Sequence, residues 1–164
     1  MNAQDHLKKP PYLMIGILFF GAFVSFLNNS LMNVALPSIM ADLKIESYSV
    51  VQWLSTGYML VSGILIPVSA FLLIKFTNRT LFIASMSIFT AGTVMAALAP
   101  NFGVLLAGRM IQAAGSAAMS PLLMNVMLIS FPREKRGTAM GVFGLVLITA
   151  PALGPTLSGY IVEY

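Results

Sequence analysis

Arg109 lies inside the apolar stretch Phe102–Phe131. A guanidinium at bilayer depth costs at least about 2.5–3.5 kcal/mol to insert. It must therefore turn toward a protein interior or a water path. Arg109, Gln112, Ser116 and Ser120 follow at three- and four-residue steps, so they share one face of a helix. A fixed cation beside hydrogen-bonding groups suits ligand binding or coupling to proton movement. Snorkelling of Arg109 to the membrane surface, or a structural tether, fits the same spacing. A second polar set is Asn28, Asn29, Ser30 and Asn33, with Ser25, Asn29 and Asn33 four apart in one stripe. Amides at this depth either bind neighbouring helices together or line a wet cavity. The spacing admits both. The second apolar segment adds Gln52, Ser55, Thr56 and Ser62 on adjoining faces.

Other chemistry is not indicated. There is no cysteine, and the single histidine, His6, sits in a polar N-terminal stretch. Asp5, Asp42, Glu46, Glu134 and Glu163 all lie at segment ends or between segments. No phosphate-binding loop, metal-ligand spacing or nucleophile triad is present, so the sequence points to no enzyme, metal or cofactor.

The elements that position these residues are membrane spans. The chain of 164 residues is 58% hydrophobic and 9% charged, with a mean hydropathy of +0.89. Soluble domains carry roughly 25% charged residues, which excludes that class. Five apolar segments stand out, at Tyr12–Met40, Ser49–Ile74, Leu81–Ala99, Phe102–Phe131 and Thr138–Ile161. Each contains the roughly 17–25 residues that cross a bilayer as a helix. The breaks between them are short and carry the turn and charge signals. The expectation is an all-α integral membrane protein with five antiparallel transmembrane helices. Counting from Tyr12, Asn28 lies about 24 Å along its helix. Arg109 enters from the same outer side near Asn101, which puts the two polar sets level.

Lys8, Lys9, Lys75, Arg79, Arg133, Lys135 and Arg136 fall on one side of such a bundle, and Lys44 on the other. By the positive-inside rule the N-terminus is cytoplasmic. The net charge of +4 is then a topology signal and not a nucleic-acid footprint. Residues 1–11 read as a cytoplasmic tail and residues 12–164 as a partial transmembrane domain in the cell membrane. A cleaved signal peptide over residues 8–25 fits poorly, because the apolar run is long and four more spans follow. Tyr48 and Trp53 suit an interfacial aromatic belt. The last segment is unusual in carrying Gly141, Gly144, Gly154, Gly159, Pro151 and Pro155, a composition shaped for close packing or bending.

Four motifs then appear in order. Leu27 to Pro37 (LNNSLMNVALP) is similar to LDxTIVNVALP on a first helix. Ala70 to Arg79 (AFLLIKFTNR) sits where a GxLaDrxGrk loop would lie. Leu106 to Ala117 (LAGRMIQAAGSA) resembles lxxRxxqGxgaa on a fourth helix. Gly141, Ala150, Gly154-Pro155 and Ser158-Gly159 fit a fifth-helix antiporter motif. Together they resemble the N-terminal part of a drug:proton antiporter of the major facilitator superfamily, in its fourteen-helix, lincomycin-efflux-like branch.

That resemblance implies an incomplete N-terminal half of a major facilitator fold, exporting hydrophobic or cationic drugs in exchange for protons when joined to its remaining helices in the bilayer. It implies proton coupling at Arg109 and a role for Gly141, Gly154, Pro155 and Gly159 where the fifth helix seals or bends. Lys75 and Arg79 would belong to a gating loop. Asn28, Asn29, Asn33, Gln52, Thr56, Gln112 and Ser116 are the candidates for the cavity wall. There are departures. Asn28 stands for the family's first-helix Asp, and Ile74, Thr77 and Asn78 stand for the Asp, Gly and Arg of a loop that the resemblance links to gating through charge contacts at the inner face, leaving Lys75 and Arg79. Five spans are one short of a half, so the expectation is a truncated or split transporter that does not transport alone. A non-transporting membrane subunit or scaffold that pairs with another chain is the alternative.

Overall fold

A computed structural model of the chain describes residues 12–163, apart from the side chains of residue 146 and of residues 157–163. The expected tail at residues 1–11 lies outside the described residues. Among the described residues every regular element is helical: α1 (Tyr12–Asp42), α2 (Tyr48–Lys75), α3 (Asn78–Ala97), α4 (Phe102–Ser116), α5 (Met119–Ser130), a 3₁₀ turn (Arg133–Lys135) and α6 (Arg136–Glu163). Helices are what an apolar chain must form in lipid, because each satisfies its own backbone. Five stretches are long and apolar enough to cross a membrane, with Phe102–Ser130 counted as one.

The fourth span differs from expectation in being two helices. Pro121 has no N–H for the carbonyl of Ala117, which a continuous helix would use. Ala117 (φ −56°, ψ −31°) and Ala118 (φ −80°, ψ −13°) keep helical angles, so the span kinks and continues. The Ser69 hydroxyl of α2 lies 3.4 Å from that carbonyl, although its nearer acceptor is Ile66 O at 2.7 Å.

Local signals set the other ends. Thr77 caps α3, accepting from Thr80 N at 3.3 Å, and Asn101 caps α4, accepting from Val104 N at 3.0 Å. These side chains satisfy amides that the first helical turn leaves unpaired. α1 closes at Lys44, whose φ of 51° is left-handed. Ile45 N reaches Met40 O at 3.0 Å and Lys44 N reaches Ala41 O at 3.2 Å, the paired bonds of a Schellman stop.

Packing divides into two apolar ends and a polar layer between them. One core joins Leu18, Leu81, Leu122, Val126 and Phe143 near the start of α1. The other joins Leu36, Val51, Leu54 and Leu105 near its end. Outward faces are apolar too: Leu13 is 80% exposed and Ile74 82%. Surfaces of this kind fit a lipid environment.

Two helix pairs make the most extensive contacts, α3 with α4 and α1 with α6. On α3 and α4, methyl groups placed at Gly92, Gly108 and Gly115 would strike backbone: Gln112 N at 2.5 Å, Ala96 N at 2.8 Å and Phe89 N at 2.5 Å. Glycine lets these two helices meet main chain to main chain. α1 and α6 meet differently, through Ser30 and Gly154.

Candidate functional site

The polar layer is built around Arg109, which has 0% exposure. One terminal guanidinium nitrogen (Nη1) donates to Asn28 Oδ1 at 2.9 Å and to Gln112 Oε1 at 2.7 Å. The other (Nη2) donates to Asn29 Oδ1 at 3.1 Å. The Tyr58 ring lies beneath, with its centroid 4.6 Å from the guanidinium carbon, a contact worth up to about 2 kcal/mol when desolvated. Nε is buried with no partner among the described residues. The cation is thus held by three amides and an aromatic face, with no carboxylate among these partners. Snorkelling does not occur.

The network continues on both sides. Gln112 Nε2 donates to Thr93 Oγ1 at 2.7 Å, and Thr93 Oγ1 donates to Phe89 O at 2.8 Å. The Tyr58 and Ser116 hydroxyls are hydrogen-bonded, and Ser116 also donates to Ala113 O at 3.1 Å. Beside the guanidinium is a cavity of about 370 Å³ between α1, α3 and α4. Asn28, Thr93, Arg109 and Gln112 form its polar wall; Leu31, Met32 and Leu105 are among its apolar lining.

The stripe on α1 serves three different ends. Ser25 bonds back to Gly21 O at 3.0 Å, Asn29 meets Arg109, and Asn33 accepts from Ser55 of α2. Asn33 is therefore interhelical glue. Gln52 and Thr56 are not in the wall beside Arg109. Val51, Leu54, Ser55 and Tyr58 form the buried face of α2. Gln52 and Thr56 each lie one residue on, a rotation of about 100°, and are exposed. Sequence reasoning missed Tyr58 and Thr93. Tyr58 was recoverable, because it continues the Ser55 and Ser62 face by steps of three and four. Thr93 carried no signal beyond being a polar residue next to Gly92.

The fifth-helix motif, on α6, splits in two. A methyl group on Gly141 would meet nothing within 4 Å, whereas one on Gly154 would overlap Ser30 Oγ and lie 2.5 Å from Ser30 Cβ. Pro155 has no N–H, which frees the carbonyl of Pro151, and Ser30 Oγ donates to that oxygen at 3.0 Å. Gly154 thus provides the space, Pro155 the free acceptor and Ser30 the donor. The surroundings of Gly159 lie outside the described residues.

The α2–α3 turn holds the remaining candidates. Lys75 Nζ lies 5.0 Å over the Phe71 ring. Arg79 is exposed and borders a cavity of about 460 Å³ with Leu13, Ile17 and Phe82. Asn78, at the place of a family arginine, accepts instead from Asn125 Nδ2 of α5 at 3.1 Å.

The profile of the Major Facilitator Superfamily matches residues 18–164. The chain belongs to this superfamily. Its five spans are an incomplete half of a major facilitator fold, and the protein is a multi-pass membrane protein. Among its relatives is the uncharacterized MFS-type transporter YcnB of Bacillus subtilis (strain 168), 58% identical over 151 residues, covering 92% of this chain and 32% of the relative. The lincomycin resistance protein LmrB of Bacillus subtilis (strain 168) is 48% identical over 163 residues, covering 99% and 33%. The multidrug export protein EmrB of Haemophilus influenzae is 31% identical over 144 residues, covering 88% and 28%. The chain spans about a third of the length of these relatives.

Proposed function

We propose that this chain supplies the N-terminal spans of a secondary transporter that exports drugs or amphipathic compounds by proton antiport. The observation that carries this reading is Arg109, fully buried, tied to two asparagines of α1 and set at the edge of a cavity. An expensive buried cation at membrane depth marks a functional path. Arg109 couples ligand and proton movement, and Asn28, Gln112 and Thr93 line the route. Asn29, Asn33 and Ser116 hold the wall in place. Gly154 and Pro155 shape α6 against α1, Gly141 and Gly159 shape it against the remaining helices of the transporter, and Lys75 and Arg79 sit in the gating turn. Residues 1–11 form a cytoplasmic tail, and the protein resides in the plasma membrane with that tail inside. The names of LmrB and EmrB support drug export as the activity. Alternating access in this superfamily needs two six-helix halves around a midplane site, so residues 1–164 alone do not transport.

The test is energised efflux in everted vesicles carrying the full-length protein, with lincomycin as the probe. Efflux is expected to collapse with a protonophore and to fall at least about tenfold in Arg109→Gln, a loss of about 1.4 kcal/mol or more in transition-state stabilisation. Efflux that persists without a proton gradient overturns antiport. Undiminished efflux in Arg109→Gln overturns the role of that residue. Energised efflux from cells expressing only residues 1–164 overturns the dependence on the remaining helices.

A further inference from the structure

We infer that the cavity beside Arg109 takes the charged end of an amphipathic monoanion, a carboxylate on an apolar body, and discriminates against cations. The inference rests on the transporter reading for its biological meaning, but the site itself is a matter of charge and shape. Arg109 has 0% exposure and borders the cavity. The groups facing it come from three other elements and its own: Asn28 and Asn29 from α1, Tyr58 from α2, Gln112 from α4, with Thr93 of α3 behind Gln112. None of these is a carboxylate. The acidic residues in the described part of the chain, Asp42, Glu46, Glu134 and Glu163, lie at helix ends or in turns. Among the described residues the positive charge therefore has hydrogen-bond acceptors but no counter-ion, and Nε has no partner.

Shape points the same way. One wall of the cavity is polar, at Asn28, Thr93, Arg109 and Gln112; the remaining wall is apolar, including Leu31, Met32 and Leu105. A volume of about 370 Å³ lies at the small end of the range for ligand sites. A compound with one acceptor-rich end and one apolar flank matches both walls. The size of the charge effect decides the preference. A unit charge about 6 Å from the guanidinium, at an effective dielectric of about 20, shifts affinity roughly a hundredfold, in opposite directions for opposite signs. Desolvation of the carboxylate offsets part of this, so a preference of at least about tenfold is expected.

The experiment compares octanoate with octyltrimethylammonium, which share chain length and differ in sign. Binding of each to the purified full-length protein is measured by scintillation proximity, and flux of each in excess of that in protein-free liposomes is measured in proteoliposomes under an imposed pH gradient. Octanoate is expected to bind at least about tenfold more tightly. Asn28→Asp, which sets a carboxylate on the guanidinium, and Arg109→Gln, which removes the charge, are each expected to abolish the preference. Equal binding, or preference for the ammonium, in the unaltered protein overturns the inference, whether or not either variant folds. An anion preference that survives both substitutions places the anion elsewhere and overturns it too. The two readings separate cleanly. Anion binding without flux of either compound keeps the site and overturns transport. Flux of the ammonium without anion preference keeps transport and overturns the site.

Discussion

The α3–α4 pair and the α1–α6 pair are both close contacts made by glycine, yet they are different devices. α3 and α4 are consecutive and joined by a short turn. Their glycines face mainly backbone atoms across the seam, which cannot rotate away. α1 and α6 are the first and last spans of the described chain, and Gly154 faces one residue, Ser30, most closely through a side chain that also fills a hydrogen bond freed by a proline. The first is a fixed seam that sets the height and rotation of Arg109. The second is a joint whose geometry depends on one hydroxyl. Close packing alone does not say whether two helices are meant to stay still; the identity of the opposing atoms does.

The seam should be the less forgiving. Gly115→Ala would press a methyl group to 2.5 Å from Phe89 N and 2.6 Å from Ser85 O. Because the helices themselves must part, a loss of about 2–3 kcal/mol is expected, read as lowered thermal stability of the full-length protein in detergent. A loss no greater than that of Gly154→Ala erases the distinction. At the joint, Gly154→Ala should cost about 1–2 kcal/mol, and adding Ser30→Gly should recover part of it by removing the opposing atoms. A double-mutant cycle without coupling shows that the two positions do not meet. Ser30→Ala alone should cost about 0.5–1 kcal/mol for the lost bond. In a Pro155→Ala background that cost should vanish, since the restored N–H can serve Pro151 O. The smallest effect belongs to Gly141→Ala, within about 0.5 kcal/mol. A larger loss there, measured the same way, would mean that this open face is covered by the rest of the transporter.

Much of this was legible in the sequence because the bilayer leaves so few choices. Length and hydropathy gave the five spans, and a rise of 1.5 Å per residue put Asn28 and Arg109 at one level before any contact was known. Helix ends were less legible. α3 begins at Asn78, not Leu81, because the Thr77 cap lets the polar residues Asn78, Arg79 and Thr80 enter the first turn. The kink at Pro121 was hidden by an unbroken apolar run. In the site, polar residues on one face announced themselves, but the rotation of α2 did not: Gln52 and Thr56 are as polar as Ser55 and point elsewhere. Tyr58 passed as one aromatic among many, since a cation–π contact needs a partner from another helix. The bond from Ser30 to Pro151 joins residues 121 apart, and no local pattern encodes such a distance.

That same separation has a consequence for how the protein is made. A chain emerges from the ribosome at about 5–20 residues per second, so α1 enters the membrane roughly 6–24 s before the carbonyl of Pro151 is synthesised. Throughout that interval the most extensive neighbour of α1 does not yet exist. Asn28 and Asn29 wait only until Arg109 is made, but Ser30 stays without its acceptor to the end of that interval. Among the described helices α6 is therefore the last to arrive, and the face of α1 around Ser30 must stay open for it until then.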